Sequence, residues 1–158
     1  MTTLADKTQQ AIKRFGKSIC IVTVSDERGR YASPSSAITN LTNEPPTLLL
    51  PLEKTASLYP LLKPSTSFGV NVLAAHHEEV VNACIRQKGD DRFSVGDWRQ
   101  HSSGVPILAD AQASFVCEFE QLNEYGSHGM IIGRVVEVTY EEELSPLIYI
   151  GGGFKTLP

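Results

Sequence analysis

Two long β-type runs near the end of the chain constrain its fold most strongly. Residues 114–124 and 128–140 are rich in β-branched and aromatic side chains, and only Tyr125-Gly126-Ser127 lies between them. A connection this short joins antiparallel strands, so the two runs predict a long hairpin. Runs of similar character predict further strands at 18–25, 47–52, 68–73 and 147–150. The turn Asp26-Glu27-Arg28-Gly29 predicts that a return strand follows at 30–36.

Short helices are predicted between the strands. They cover 6–15, with Ala11, Ile12 and Phe15 facing the core, 55–62, which Pro64 ends, and 75–86. Residues 88–100 are polar and contain glycine, which predicts a long surface loop. The elements do not alternate as βαβ units, and no GxGxxG motif follows the first strand, so a Rossmann fold is not expected. The pattern favours one mainly β domain over residues 1–158, built as a small antiparallel barrel.

Composition excludes several classes of protein. A net charge of −4 does not suit a general nucleic-acid binder, which carries a basic stripe. Cys20, Cys84 and Cys117 are far apart and form no CxxC pair, so we expect free thiols in a reducing cytoplasm, with Cys20 and Cys117 in the core. Residues 1–16 lack the apolar region of a signal peptide, and no run is long enough to span a membrane, so no membrane association is expected.

The segment from Ser33 to Pro46 is the most suggestive of ligand binding. Small, mostly hydroxylated residues lead to a double proline, and an apolar strand then begins at Thr47. Small side chains let the backbone approach a flat or phosphorylated ligand, and hydroxyl and N–H groups can bond to it. A serine-rich strand end is also commonly a turn or a solvated edge, and the residues by themselves leave both interpretations open.

The loop after this strand suggests an anion site. Thr55, Ala56 and Ser57 open a predicted helix, whose first N–H groups favour an anion, and Lys54 adds a positive charge. Thr55 could equally be an ordinary helix cap. His76 and His77 are adjacent at a predicted helix start, where neighbouring side chains diverge, so no metal site is expected. Asn71 is expected to bond the backbone of neighbouring strands.

Taken in order, several motifs resemble the flavin reductase family, whose members are the small reductase components of two-component flavin monooxygenases. The similarity runs from about Ala11 to Phe154. It rests on the hydroxyl-rich segment ending in Pro45-Pro46 and on shorter motifs: Lys54-Thr55-Ala56-Ser57, Phe68-Gly69-Val70-Asn71-Val72-Leu73, Asp91-Arg92-Phe93 followed by Trp98, Gly104-Val105-Pro106-Ile107-Leu108, Gly126-Ser127-His128 and Pro146-Leu147-Ile148-Tyr149.

This resemblance implies an FMN-binding split β-barrel, antiparallel and Greek-key-like, that transfers a hydride from NAD(P)H to FMN or FAD. NADH is the preferred donor and NADPH the alternative. It also implies a homodimer and a separate monooxygenase that receives the reduced flavin. The residues assigned to the flavin are Pro34, Ser35, Ser36, Ala37, Asn40, Leu41, Lys54, Thr55, Ala56 and Ser57, and those assigned to the nicotinamide nucleotide are His128 and Phe154. No catalytic acid or base is expected, because the cofactors carry the chemistry.

The chain departs from the family pattern at three places. Pro34 stands where the family usually has threonine, and Ser127 stands where it has aspartate. The tail Tyr149-Ile150-Gly151-Gly152-Gly153-Phe154 lacks the His and Arg of the usual Y-H-R-G-x-Y. Two alternatives therefore stay open: a non-catalytic flavin binder or electron carrier, and a split barrel that serves another ligand such as haem or acts as an oxygenase. Arg92 and Phe93 could belong to a loop ion pair and core anchor or to the pocket rim.

Overall fold

The structure is a computed structural model that describes residues 1–158, and antiparallel strands dominate it. The helices are α1 (Leu4–Ile12) and α2 (Glu78–Arg86), with 3-10 turns at Tyr59–Leu61 and Gly89–Phe93. The strands are β1 (Lys17–Ser18), β2 (Cys20–Asp26), β3 (Gly29–Ser35), β4 (Thr39–Asn43), β5 (Pro46–Glu53), β6 (Ser67–Val72), β7 (Trp98–Gln100), β8 (Pro106–Leu108), β9 (Ala113–Tyr125), β10 (His128–Tyr140), β11 (Leu147–Ile150) and β12 (Gly153–Thr156).

The predicted long hairpin is confirmed. Strands β9 and β10 pair antiparallel from Tyr125↔His128 to Ala113↔Tyr140. The turn between them is Gly126-Ser127, and Gly126 has a φ of +57°, the left-handed conformation that tight hairpin turns favour. Two register shifts, between Ile132 and Gly133 and between Val135 and Glu137, interrupt the ladder. Such irregularities bend a strand and increase its twist, which helps a sheet to curl.

Seven strands form the main sheet in the order β3-β2-β6-β9-β10-β5-β4. Strands β3 and β4 are therefore its two edges, although only residues 36–38 separate them in the chain. Four Cα–Cα steps can span at most ~14 Å, so the two edges must approach each other and the sheet must close on itself. We call the gap between β3 and β4 the seam. A small sheet, β1-β11-β12, and the β7–β8 pair complete the fold.

The core consists of two apolar clusters on opposite sides of strand β2. Because side chains alternate along a strand, Val22 and Val24 face one cluster and Ile21 the other. The first cluster lies inside the curled sheet and includes Leu50, Phe68, Val70, Cys117 and Ile131. The second lies between the sheet and α2 and includes Leu73, Val81, Phe93, Leu108 and Leu147.

Asn71 holds four strands together, as its predicted structural role requires. Its side chain is fully buried, and its amide donates to the Ile21 carbonyl at 3.1 Å. Its oxygen accepts from the Leu108 N–H and the Ser114 hydroxyl, both at 2.9 Å. The buried amide is thus satisfied on both sides and connects β2, β6, β8 and β9.

Three of the predicted segments differ in the structure. The first helix is α1, Leu4–Ile12; none of its residues is buried, Ile12 is exposed, and Phe15 lies beyond it and is 65% exposed. The prediction that Ala11, Ile12 and Phe15 face the core was therefore wrong. No helix spans 55–62, where only Tyr59–Leu61 forms a 3-10 turn. Helix α2 begins at Glu78, three residues later than predicted.

The predicted surface loop 88–100 is also more ordered than its composition suggests. It contains the 3-10 turn Gly89–Phe93 and strand β7, and Phe93 is buried against Trp98, with ring centroids 5.0 Å apart in an edge-to-face arrangement. Two apolar anchors among many polar residues are too few for a periodic pattern, which is why the sequence predicted a loop.

The three cysteines are free and buried, so the prediction that Cys20 and Cys117 lie in the core is confirmed. Burial raises the pKa of Cys20 and Cys84 to about 11 and that of Cys117 to about 12. These thiols are therefore structural rather than reactive. No helix in the structure combines the length and apolarity needed to cross a membrane.

Candidate functional site

A cleft of about 300 Å³ opens beside the outer end of strand β3. Pro34, Ser35 and Ser36 form one side of it, where β3 leaves the sheet and the chain turns toward β4. As the edge strand of the sheet, β3 tolerates Pro34, which has no N–H to donate. The remaining lining is apolar or aromatic: Ile19, Val81, Ile85, Tyr149 and Phe154. A mostly apolar cleft with a few polar groups at one side is typical of a small-molecule site.

The C-terminal hairpin supplies the aromatic wall of this cleft. Strands β11 and β12 pair antiparallel, and Tyr149 lies opposite Phe154 across the turn. Their rings meet edge to face with centroids 5.8 Å apart. Gly151 and Gly152 have φ values of +65° and +83°, which glycine adopts without strain and which let the hairpin reverse tightly. The tail therefore folds over the cleft without the family's His and Arg.

Four cleft residues were not predicted from the sequence: Ile19, Val81, Ile85 and Tyr149. Val81 and Ile85 are four residues apart on α2 and so lie on the same side of the helix. Ile85 is 62% exposed, although it is apolar. In the structure, the exposure of Ile85 one turn from the buried Val81 marks this side of α2 as a candidate wall of a site. In the sequence, both residues look like ordinary core-facing residues of a helix.

The other residues predicted near the Ser-rich segment lie outside the cleft lining. Ala37 is exposed just beyond Ser36 and donates its N–H to the Ser35 hydroxyl at 3.3 Å. Asn40 and Leu41 lie on the edge strand β4, on the opposite side of the seam, and both are exposed. The seam thus places them near the chain that lines the cleft but not in its wall.

The loop of residues 54–57 is a tight turn rather than the start of a helix. The N–H of Ala56 bonds the Glu53 carbonyl at 3.0 Å, whereas the N–H groups of Thr55, Ser57 and Leu58 have no hydrogen-bond partner in the protein. N–H groups that could bind an anion are therefore present, as predicted, but they belong to a turn and not to the first turn of a helix. Lys54 forms an ion pair with Glu124, whose carboxylate lies 3.4 Å from its ammonium.

Arg92 connects this loop to strand β3 across the seam. One guanidinium nitrogen, Nη1, donates to the Ser57 hydroxyl at 3.2 Å and to the Ala32 carbonyl at 3.1 Å. Ala32 precedes Ser35 by three strand residues, or ~10 Å. The 54–57 loop and the cleft therefore lie at neighbouring positions along one side of the barrel.

His128 lies beside the 54–57 loop. It begins β10 opposite Glu53, and the neighbouring Ser127 carbonyl accepts from the Lys54 N–H at 3.0 Å. Its Nδ1 lies 2.9 Å from the Ser127 hydroxyl. Of the two residues assigned to the nicotinamide nucleotide, Phe154 lines the cleft and His128 does not.

His76 and His77 converge, contrary to the prediction. Both precede α2, their ring centroids are 4.0 Å apart, and their Nε2 atoms lie 2.9 and 3.1 Å from the two Asp110 carboxylate oxygens. These are donor types that bind metals. However, Nδ1 of the buried His77 accepts the Ala74 N–H at 2.9 Å, which leaves the proton of the neutral ring on Nε2. That nitrogen therefore carries a hydrogen and has no lone pair for a cation, although its contact with Asp110 does not reach hydrogen-bond geometry.

The sequence and the structure both resemble known flavin reductases. The chain matches the family described as "Flavin reductase like domain" over residues 12–158. It is 33% identical over 157 residues to an FMN reductase (NADH), RutF, of Klebsiella pneumoniae, a similarity that covers 98% of this chain and 96% of the relative.

Two solved structures share the fold over nearly their whole length. The NADH:FAD oxidoreductase SgcE6 of Streptomyces globisporus C-1027 superposes with a TM-score of 0.91 at 25% identity, covering 100% of this chain and 96% of that one. BorF, the flavin reductase component of a bacterial two-component tryptophan halogenase, superposes with a TM-score of 0.88 at 25% identity, covering 98% of each chain.

The chain belongs to the flavin reductase family, and the expected split-barrel fold is confirmed. The cleft fits a flavin on physical grounds. The isoalloxazine is a flat tricyclic ring with largely apolar faces and a polar edge, and the cleft offers apolar walls with small hydroxylated residues on one side. The unpartnered N–H groups beside Ser57 suit the phosphate at the far end of the molecule.

Proposed function

We propose that this protein is an NADH:flavin oxidoreductase that uses FMN and supplies reduced flavin to a separate oxygenase. Family membership and the NADH-dependent FMN reductases among its relatives support the reaction. The observation that carries the assignment is the cleft beside Ser35 and Ser36, which is walled by Tyr149 and Phe154. FMN is favoured over FAD because the curated relative is an FMN reductase, whereas SgcE6 is named for FAD.

When bound, the flavin supplies the electron acceptor, which takes a hydride at N5 from C4 of the dihydronicotinamide. The residues of the protein bind the two nucleotides and orient their rings. We assign Pro34, Ser35 and Ser36 of the cleft lining, with Ala37 just beyond it, to the edge of the ring, because their small side chains permit close approach of the backbone. Tyr149 is the only ionisable residue in the lining, so we assign no catalytic acid or base. Catalysis then consists of holding two rings in contact and excluding water.

Other residues complete the assignment of the two nucleotides. We assign Asn40 and Leu41, which lie across the seam on β4, to the polar edge of the ring. Lys54, Thr55, Ala56 and Ser57 form the loop that takes the flavin phosphate. Phe154 packs in the cleft wall, within reach of either ring. His128, beside the 54–57 loop, is assigned to the nicotinamide nucleotide on family resemblance.

Exposed apolar surface supports a homodimer. Helix α1 contributes no residue to the core, and Leu4 is 82% exposed. At the end of β10, Val136, Val138 and Tyr140 alternate along the strand, and all three are exposed. Exposed apolar residues of this kind are candidates for a subunit interface. Size-exclusion chromatography with light scattering should show twice the chain mass of 17.3 kDa.

The free, buried thiols favour the reducing cytoplasm as the location of this protein. The role of BorF as the reductase component of a two-component halogenase favours a flavin-consuming enzyme as the partner.

The decisive experiment follows NADH oxidation at its near-ultraviolet absorbance with and without added FMN. Saturable oxidation that requires FMN is the expected result. A variant that fills the cleft, Ser36→Trp, is the matched control and should lose that activity while remaining folded. Saturable flavin binding without NADH oxidation would instead support the electron-carrier alternative, and the absence of flavin binding would refute both.

A further inference from the structure

Arg92 is held rigidly at the seam. The adjacent Phe93 is buried, and the Arg30 guanidinium lies over its ring at 4.3 Å while also pairing with Asp90 at 2.6 Å. These contacts fix the 3-10 turn that carries Arg92. Its Nε then donates to the Gln87 carbonyl at 3.2 Å, and its Nη1 reaches Ala32 and Ser57.

The Arg92 guanidinium has N–H groups that form no hydrogen bond within the protein. Of its five N–H groups, three are used by the bonds from Nε and Nη1, so both hydrogens of Nη2 are free. Arg92 is half-buried, yet it forms no ion pair with any carboxylate of the chain. A half-buried positive charge bonded only to carbonyls and a hydroxyl still lacks its counter-ion.

Further unused donors lie beside it. Ser57 is bonded directly to Arg92, and the N–H groups of Thr55, Ser57 and Leu58 are unpartnered. Lys54, the cation that the sequence suggested, already has an ion-pair partner, because its ammonium lies 3.4 Å from the Glu124 carboxylate. Arg92 is therefore the cation at this loop that has no carboxylate partner within the chain.

We propose that Arg92, and not Lys54, is the cation that binds the flavin phosphate. This inference rests on the proposed function, since it takes flavin as the ligand. Arg92 donates from Nη2 to a phosphate oxygen, while its bonds to Ser57 and Ala32 keep the guanidinium in place. Its link to β3 also sets the distance between the phosphate and the ring cleft. Arg92 thereby makes the protein prefer phosphorylated flavins to riboflavin.

The test compares the dissociation constants of FMN and riboflavin, which differ only in the phosphate, by quenching of flavin fluorescence. Wild-type protein should bind FMN at least ~10-fold more tightly than riboflavin, as a charge-assisted phosphate contact implies. Arg92→Gln should weaken FMN ~10- to 100-fold and leave riboflavin nearly unchanged. Arg92→Lys, which keeps the charge, should lose less. Lys54→Gln tests the rival cation and should weaken FMN binding less than Arg92→Gln does. Lys63→Gln, at an exposed lysine outside the loop, is the matched control and should change FMN binding by less than ~3-fold.

Equal weakening of FMN and riboflavin in Arg92→Gln would show a merely structural role and would overturn the proposal. So would unchanged FMN affinity, or a larger effect in Lys54→Gln. If Arg92→Gln does not fold, Arg92→Lys and competition of inorganic phosphate with FMN on the wild-type protein decide; no competition refutes the proposal. In each of these cases FMN-dependent NADH oxidation by the wild-type protein would leave the proposed function standing.

Discussion

Replacing Asn71 with leucine should destabilise the barrel strongly without changing the volume of its core much. The side chain is fully buried and makes three hydrogen bonds, to Ile21, Leu108 and Ser114. Leucine would leave the Leu108 N–H and the Ile21 carbonyl without this partner. The Ser114 hydroxyl keeps an alternative, since the Leu108 carbonyl lies 3.4 Å away.

The expected loss of stability follows from the two polar groups left without a partner, the Leu108 N–H and the Ile21 carbonyl. Each buried polar group left unsatisfied costs ~1–2 kcal/mol, so Asn71→Leu should lower the free energy of unfolding by ~2–4 kcal/mol. That is a large part of the ~5–15 kcal/mol available to a domain. Urea unfolding followed by circular dichroism measures it, with the exposed Asn123→Leu as control, expected within ~0.5 kcal/mol of wild type. A loss below ~1 kcal/mol for Asn71→Leu would refute the reasoning.

Three further predictions concern the site and the response to pH. Ser36→Trp should abolish saturable FMN binding because the indole occupies the cleft, and an unchanged dissociation constant would remove Ser36 from the site. His128→Ala should raise the KM for NADH more than that for FMN in steady-state assays; the reverse order would place His128 with the flavin. Burial lowers the pKa of His77 from 6.5, with Asp110 opposing and His76 assisting, so the unfolded chain binds the proton more readily. The free energy of unfolding should therefore fall as the pH drops below about 6.5, which urea midpoints measured at about pH 7.5 and 5.5 would show. His77→Asn should reduce the difference between these two midpoints. An equal difference in the variant and the wild type would contradict the role given to His77.

The sequence was informative where side chains alternate on a half-buried strand. The β9–β10 hairpin, the turn at Gly126 and strand β6 all have clear patterns, and the structure contains each of them. Pro51 shows that even an exception can be interpreted: a proline inside a strand favours an edge, a bulge or a ligand-facing end, and β4 pairs with β5 only as far as Leu49. Beyond that residue β5 has a single neighbour, so a missing N–H is tolerated.

The errors arose where local signals had more than one meaning. Apolar residues in and after α1 have the spacing of a core-facing helix, but they are exposed in the single chain, as a subunit interface would also require. The hydroxylated residues at 55–57 resemble a helix cap, yet they form a turn with unpartnered N–H groups. Arg92 belonged to a motif shared with the family, but the sequence left its role open, because its partners Ala32 and Ser57 are 60 and 35 residues away along the chain.

Titration of the protein with FMN tests the central claim most directly, because every assignment depends on the cleft between β3 and the C-terminal hairpin. Oxidised FMN should form a saturable complex with quenched flavin fluorescence, and adding NADH without oxygen should bleach the yellow flavin band of that complex. The Ser36→Trp variant should do neither. If the wild-type protein left FMN fluorescence unchanged at every concentration, the flavin site proposed here would be wrong.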